Sequence, residues 1–339
     1  MMDDRPGLAP RRLVRLMRAA IERCSLDLTG AVVLTEAASG AYVVTPVVAA
    51  MSGASKVFAI ARSTPYGSVE QVSEETQRLA YMAEVSGRIE IVTSKSRHIV
   101  EQADIVTNSG HVRPIDAQVI DWMKPGAVIP LMYEAWELRP EDLDLVACRR
   151  RGIAVAGTNE RHPAVNVFSY LGIMAVKLLL DAGVSVYGCS ILLLCDNPFL
   201  PFVESGLAAA GAKVETQKDL SFASNGYEAI LVVLQPRGRN LLSKPEAAWI
   251  QRRWPGAVVA QFWGDIDRTA FTEMDIPVYP SDAPPFGHMG ILPSAVGPEP
   301  IVRLQAGGLK VGEVLRWNRS GSDREYMNFT EMILDPAGA

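Results

Sequence analysis

The feature that most constrains this chain is an alternation. Runs that are apolar throughout, such as Val57-Phe58-Ala59-Ile60-Ala61, Ile191-Leu192-Leu193-Leu194 and Ile230-Leu231-Val232-Val233-Leu234, are separated by stretches of helical spacing and by Gly or Pro turns. Strands without a polar face must be covered on both sides. Helices that cross between successive strands of a parallel sheet provide that cover. The same pattern places strands at 32–35, 89–92, 104–107, 127–132 and 153–156, and further strands from 213 and over 257–259. At 339 residues the chain has room for two cores. The expectation is α/β: two doubly wound domains with parallel sheets.

The boundaries follow from the breaks. Residues 1–29 read as an N-terminal helical segment, 30–162 as the first domain, and 184–298 as the second. Between them, 163–183 carries Val165, Phe168, Leu171, Ile173, Val176 and Leu179 at helical spacing, which predicts a long interdomain helix. Residues 299–339 are expected to form a C-terminal helix and tail, the helix covering Ile301 to Trp317 and turning back onto the first half. Two stretches echo each other: Lys124-Pro125-Gly126-Ala127-Val128-Ile129 and Trp254-Pro255-Gly256-Ala257-Val258-Val259. A second echo joins Ala49–Ala54 to Ala208–Ala212, and the economical reading is two related α/β halves.

Composition removes several function classes. Hydrophobic residues make up 48% and net charge is −5 with no long basic block, so nucleic acid is not an expected partner. The arginines at 11, 12, 15 and 18 read as the solvated face of an amphipathic helix. No run reaches the roughly 18–20 apolar residues of a membrane span. Met1-Met2-Asp3-Asp4 is followed by no apolar core, and Cys24, Cys148, Cys189 and Cys195 form no C-x-x-C pair. A cytoplasmic protein with reduced thiols and no metal site is expected.

Ligands of open α/β sheets sit beyond the carboxyl ends of the strands. Thr35-Glu36-Ala37-Ala38-Ser39-Gly40 occupies the first such position, where three glycines would let a helix N-terminus approach a pyrophosphate. Only Gly40 stands, with Ser39 small beside it and Thr35 in place of the first glycine. A phosphate cradle and a bare turn both remain open there. One strand later, Arg62-Ser63-Thr64 stands where an acidic residue would hold the ribose hydroxyls of NAD. An arginine with hydroxyl neighbours suits a 2′-phosphate, so NADP is expected ahead of NAD. Asn108 and Ser109 follow the fourth strand, in position for a ribose. The second half has Cys195-Asp196-Asn197-Pro198 at its first turn, with no glycine and an acid that repels phosphate. Asp196 and Asn197 are read as substrate contacts or helix caps, and Asp265 as a substrate contact.

For acid–base chemistry the candidates are His162, at the start of the predicted interdomain helix, Glu134, emerging from an apolar strand, and His288, on a Pro/Gly-rich loop. Glu160 and Arg139 complete a polar, acidic set around an expected interdomain cleft. Each has a plain structural alternative: a surface imidazole, a cap, or an ion pair between Arg139 and a neighbouring glutamate.

Ala103-Asp104-Ile105-Val106-Thr107, Arg113-Pro114-Ile115-Asp116 and Met123-Lys124-Pro125-Gly126-Ala127-Val128-Ile129 resemble the later part of the coenzyme domain in D-2-hydroxyacid dehydrogenases and their Rossmann relatives. The resemblance spans some 60 residues and implies Rossmann-like domains. It departs in the degraded glycine loop, in the nucleotide-like half coming first, and in the lack of a match to the family's catalytic Arg, Glu and His. Three functions are therefore carried forward. One is an NADP-dependent oxidoreductase acting on a small polar metabolite. The second is a cofactor-free transferase or lyase on a nucleotide- or amino-acid-like substrate. The third is a non-catalytic ligand-binding or partner protein with a decayed fold. A small-molecule ligand is the expected partner, and self-association into a homodimer is left open.

Overall fold

The structure is a computed structural model and describes residues 5–224, 226–317 and 328–335. The chain divides into two compact units, 1–167 with 297–339, and 168–296.

In the first unit α1 (Pro10–Cys24) is followed by β1 (Val32–Glu36), α2 (Val44–Met51), β2 (Lys56–Ile60), α3 (Val69–Met82) and β3 (Ile89–Val92). Then come α4 (Arg97–Val100), β4 (Ile105–Val106), α5 (Ala117–Trp122), β5 (Val128–Pro130), α6 (Leu145–Arg151) and β6 (Ala154–Thr158). The strands line up as β3-β2-β1-β4-β5-β6, all parallel. β12 (Thr330–Leu334), a strand sequence reading did not anticipate, adds to β6 in antiparallel sense. The order reverses between β1 and β4, which makes that crevice the topological switch point.

Burial follows the pattern that predicted it. Leu34 and Val33 are inaccessible, as are Val57 and Ile105, and seven of the eight residues of α2 are buried. α1 turns Leu13, Val14, Met17 and Ala20 inward and leaves Arg11, Arg12, Arg15 and Arg18 exposed. The returning helix α11 (Glu299–Trp317) packs on β4, β5 and β6. Gly308 makes that approach possible, because a Cβ there would lie 2.5 Å from Met132 Sδ. Lys310, 1% exposed on this helix, donates to Ser25 O at 3.0 Å and pairs with Glu313 at 2.7 Å.

In the second unit the elements are α7 (Leu171–Asp181), β7 (Ser190–Cys195), α8 (Leu200–Ala209), β8 (Lys213–Gln217) and β9 (Ala229–Val233). α9 (Lys244–Arg253), β10 (Val258–Trp263), α10 (Arg268–Glu273) and β11 (Val278–Tyr279) complete it. All strands are parallel, in the order β8-β7-β9-β10-β11. This is the 2-1-3-4-5 order of doubly wound sheets and differs from the 3-2-1-4-5-6 order of the first unit. The segment predicted as one helix over 163–183 is instead a 3-10 turn, Phe168–Tyr170, followed by α7, which packs on α8.

The echo between 124–129 and 254–259 is a helix-to-strand junction in both units. Gly126 and Gly256 take φ of 78° and 86° there, a region other residues rarely adopt. The junction precedes β5 in one sheet and β10 in the other, so what the two stretches share is turn chemistry.

Candidate site at the carboxyl edge of the first unit

β1 ends inside the opening motif. Thr35 is fully buried, and its hydroxyl accepts from Thr107 at 2.9 Å; Thr107 in turn lies 2.9 Å from Ser109 Oγ. Three hydroxyls thus close the switch point from within, and Thr35 and Ser109, expected to face a cofactor, satisfy one another instead. The N–H of Ala37 donates to Ile60 O at 2.9 Å and is not available to a phosphate. Ser39 and Gly40 are different: both are half-buried, Gly40 has φ of 62°, and nothing lies within 4 Å of a Cβ built on it.

Arg62 is exposed just after β2 and has no side-chain partner among the described residues. Beyond β3, Lys95 donates to Val112 O at 2.8 Å and to Pro114 O. Burial and the positive charge of Arg62 both hold the Lys95 ammonium below its usual range, so the two cations lie within electrostatic reach of each other. Lys95 was not singled out from sequence. The hydroxyls beside Arg62 are occupied: Ser63 Oγ accepts from Val69 N at 3.3 Å and Thr64 Oγ1 from Tyr66 N at 3.1 Å. They shape the turn into α3.

After β4, Asn108 is 1% exposed, and its Oδ1 accepts from Met132 N at 2.8 Å. Its amide Nδ2 has no hydrogen-bond partner. A buried donor left unmade is costly, and this amide is one of the few such atoms among the described residues. The loop continues over β1: His111 N donates to Glu36 Oε2 at 3.0 Å, and Arg113 pairs with Asp142 at 2.8 Å. Tyr133 also donates to Asp142, at 2.9 Å.

The densest chemistry follows β5 and β6. Gly157 on β6 lets the chain after β5 come close, since a Cβ there would collide with Ala135 N. That contact holds Glu134 and Glu137 over the sheet edge. Glu134, 2% exposed, binds Arg161 Nε at 3.2 Å and accepts from Trp136 Nε1 at 2.5 Å. Arg161 reaches Glu331 on β12 at 3.2 Å, and Glu331 accepts from Ala135 N at 2.7 Å. Glu137 accepts from Glu134 N at 3.3 Å. Burial, with Glu134 next to it, pushes the Glu137 carboxyl up to about 7. Glu160 is raised well above the carboxylate range by burial and then by Glu137, Glu134 and Glu331. Burial raises Glu36 as well, and pushes the Tyr42 phenol up to about 12 with Glu36, Glu160 and Glu137 near it. Glu137, pushed up to about 7, is the one of these groups placed to hold or release a proton near neutral pH, as acid–base catalysis needs.

Glu134 and Glu160 are therefore brought together, but the cation between the acids is Arg161. His162 faces elsewhere: its Nδ1 accepts from Ala164 N at 3.1 Å, and its ring stacks on Phe329 at 3.8 Å. Burial holds it below the usual histidine range, so it is a neutral acceptor at pH 7. Arg139 is half-buried and close enough to Glu137 to lower it slightly.

In the second unit, Asp196 accepts from Gln235 N at 2.8 Å and pairs with Arg237 at 2.5 Å. Asn197 accepts from Phe199 N at 3.0 Å and donates to Val233 O at 2.7 Å, which closes the turn leading into α8; the N-cap of that helix is Phe199, without a side-chain cap. Asp265 accepts from Gly287 N at 2.8 Å through Oδ1, while its buried Oδ2 has no partner. His288 is half-buried on the same loop, its N–H donating to Pro285 O at 2.9 Å. Among the described residues no group of three His, Cys, Asp or Glu side chains is arranged to hold a metal ion. None of their helices is long and apolar enough to cross a membrane.

No protein-family model and no curated protein sequence matches this chain. Solved structures do. Dipicolinate synthase from Bacillus subtilis is 10% identical, with a TM-score of 0.54 over 84% of this chain and 96% of that one. Dipicolinate synthase from Bacillus halodurans is also 10% identical, with a TM-score of 0.51 over 83% and 96%. NAD-dependent formate dehydrogenase from Staphylococcus aureus, solved in complex with NAD, is 13% identical with a TM-score of 0.51 over 89% and 98%. At these identities the likeness is one of fold: the chain has the two-domain Rossmann-type architecture that its residues 103–129 resemble.

Proposed function

We propose that the protein is an oxidoreductase whose first unit holds a nicotinamide dinucleotide, NADP in preference to NAD, and acts on a small polar metabolite. The observation that carries the reading is Arg62, exposed and unpartnered at the end of β2, with Lys95 beside it at the end of β3. In a sheet of this order the adenosine ribose lies over those strand ends, and two cations there suit a 2′-phosphate. The rest of the edge fits in part. Backbone N–H groups at Ser39 and Gly40 would face the pyrophosphate, and the unpaired amide of Asn108 would donate to a ribose or substrate oxygen. The bound nicotinamide would supply the hydride acceptor or donor. This chain's own part is the proton: Glu137, pushed up to about 7, can hold or release one near neutral pH, and burial with its acidic neighbours favours the protonated form of Glu160.

Titration of the purified protein with NADPH and NADH, followed by nicotinamide fluorescence, tests the reading. NADPH is expected to bind more tightly, and Arg62→Asp to weaken it tenfold or more while leaving NADH little changed. A second reading, a cofactor-free transferase or lyase using the same acids, is favoured by the closed hydroxyl cluster at Thr35 and the engaged N–H of Ala37. Failure of both dinucleotides to bind at millimolar concentration sinks the oxidoreductase and leaves the cofactor-free enzyme.

A further inference from the structure

Two prolines open a space at the start of the first unit. The chain makes a 3-10 turn, Pro6–Leu8, and α1 then begins at Pro10. Ala9, the residue before that proline, is held extended at φ −54° and ψ 130°, so α1 cannot run back through Leu8. The turn and the first residues of α1 face the 3-10 turn Gly40–Val43 and α3 without closing on them, and a cavity of about 280 Å³ is left between these elements. Leu8, Leu13, Val43 and Leu79 form its apolar walls, the last three of them buried. Gly40 also lines it and supplies no side chain: a Cβ there would meet nothing within 4 Å, so the space beside the turn stays open. The polar part of the lining is net positive. Arg78 on α3 is exposed and makes no hydrogen bond or ion pair among the described residues. Arg5 and Glu75 stand beside it, each with an interaction of its own.

We propose that this cavity is a binding site for a small organic carboxylate, with its hydrocarbon chain between the leucines and its head at Arg78. An apolar pocket with a few polar groups that fix orientation is the form small-molecule sites take. Its volume of about 280 Å³ falls just below the ~300–1,000 Å³ of drug-sized sites, which suits a chain of roughly six to eight carbons. Taking such a chain out of water is favourable in proportion to its apolar area, and a guanidinium matches a carboxylate in a planar, two-point contact. The arginine repels an ammonium, and a phosphate ester would find no donors along the leucine walls. The site is separate from the acids at the strand ends and does not depend on a dinucleotide. Gly40 belongs both to its lining and to the turn proposed for the pyrophosphate.

The test uses the full-length protein, without dinucleotide, with the methyl groups of leucine and valine labelled with 13C. Sodium octanoate, n-octanol, n-octylammonium chloride and sodium acetate are titrated separately at constant ionic strength. Octanoate is expected to give saturable shifts at the methyls of Leu8, Leu13, Val43 and Leu79. Octanol should move the same methyls with about tenfold weaker affinity, octylammonium more weakly still, and acetate not at all. Arg78→Gln, at an exposed position, should bring octanoate down to the affinity of octanol and leave octanol unchanged. Leu13→Trp fills the cavity and should abolish the response to both; if that variant does not fold, Arg78→Gln decides. Octanol binding as tightly as octanoate, shifts centred on other methyls, or no saturation by about 10 mM octanoate would each overturn the proposal. NADPH binding is measured separately, so a failed octanoate response leaves the dinucleotide reading standing and the reverse holds as well.

Discussion

After β5 and β6 the first unit gathers Glu134, Glu137, Glu160 and Glu331, with Arg161 paired to Glu134 and Glu331, and after β1 it buries Glu36 beside His111 and Arg113, with a buried amide of Asn108 left over. After β7 and β9 the second unit places Asp196 and Asn197, and both are consumed by local bonds: Gln235 N and Arg237 for one, Phe199 N and Val233 O for the other. Two sheets of the same doubly wound class thus use their carboxyl edges in opposite ways. The first buries acids beside one another and raises their protonation, whereas the second completes its loops with its polar groups. Asp265, with one buried oxygen unpaired, is the exception on the second edge. The contrast shows that strand-end polarity alone does not mark a site; what separates the two edges is that the first buries several acids beside one another, which raises their protonation.

Four perturbations would break or sharpen that contrast. Gly157→Val should act most strongly, because its side chain meets the Ala135 backbone that holds the acids in place. Overpacking of this kind costs about 1–3 kcal/mol, read as a lower melting temperature, and unchanged melting would mean that the close approach is not what supports the edge. Arg62→Asp comes next, with the tenfold loss of NADPH affinity given above, about 1.4 kcal/mol. Glu137→Gln is smaller and depends on pH. Its carboxyl titrates near 7 in the folded protein against an ordinary value of 4.5. A raised acid contributes stability in full below 4.5 and loses it as pH rises through 7. The variant, which cannot ionise, should therefore melt with the wild type at pH 4.5 and above it, by a few degrees, near pH 8. Equal melting at both values would remove Glu137 from the perturbed set. Arg237→Ala in the second unit is the smallest, about 0–1 kcal/mol, because its guanidinium is 60% exposed.

Much of the scaffold was legible because it follows from local pattern. Continuous apolar runs such as Val57–Ala61 mark buried parallel strands, and Pro-Gly turns mark where they start. The interrupted helix at 163–183 was not legible: Phe168 and Leu171 fit a helical stripe whether or not the backbone turns between them. β12 was missed because its identity depends on pairing with β6, more than 170 residues earlier. The site was half readable for the same reason. Arg62, Asn108, Glu134 and Glu160 stand at strand ends and could be found by position. Glu331 and Tyr42 reach the acids only through the folded chain, and Arg161 was passed over for His162 one residue later. Glu36 lay inside the opening motif itself. There the missing glycines drew attention to phosphate, and the acid that caps β1 was read only as a strand end.

The central claim is that the first unit, and not the second, presents the working edge. Hydrogen exchange of the full chain with and without NADPH tests it most directly. Slower exchange is expected at 38–43, 61–64 and 93–96 on binding, with 196–200 and 235–237 unchanged. Protection confined to the second unit's segments, or no protection anywhere at saturating NADPH, would contradict it.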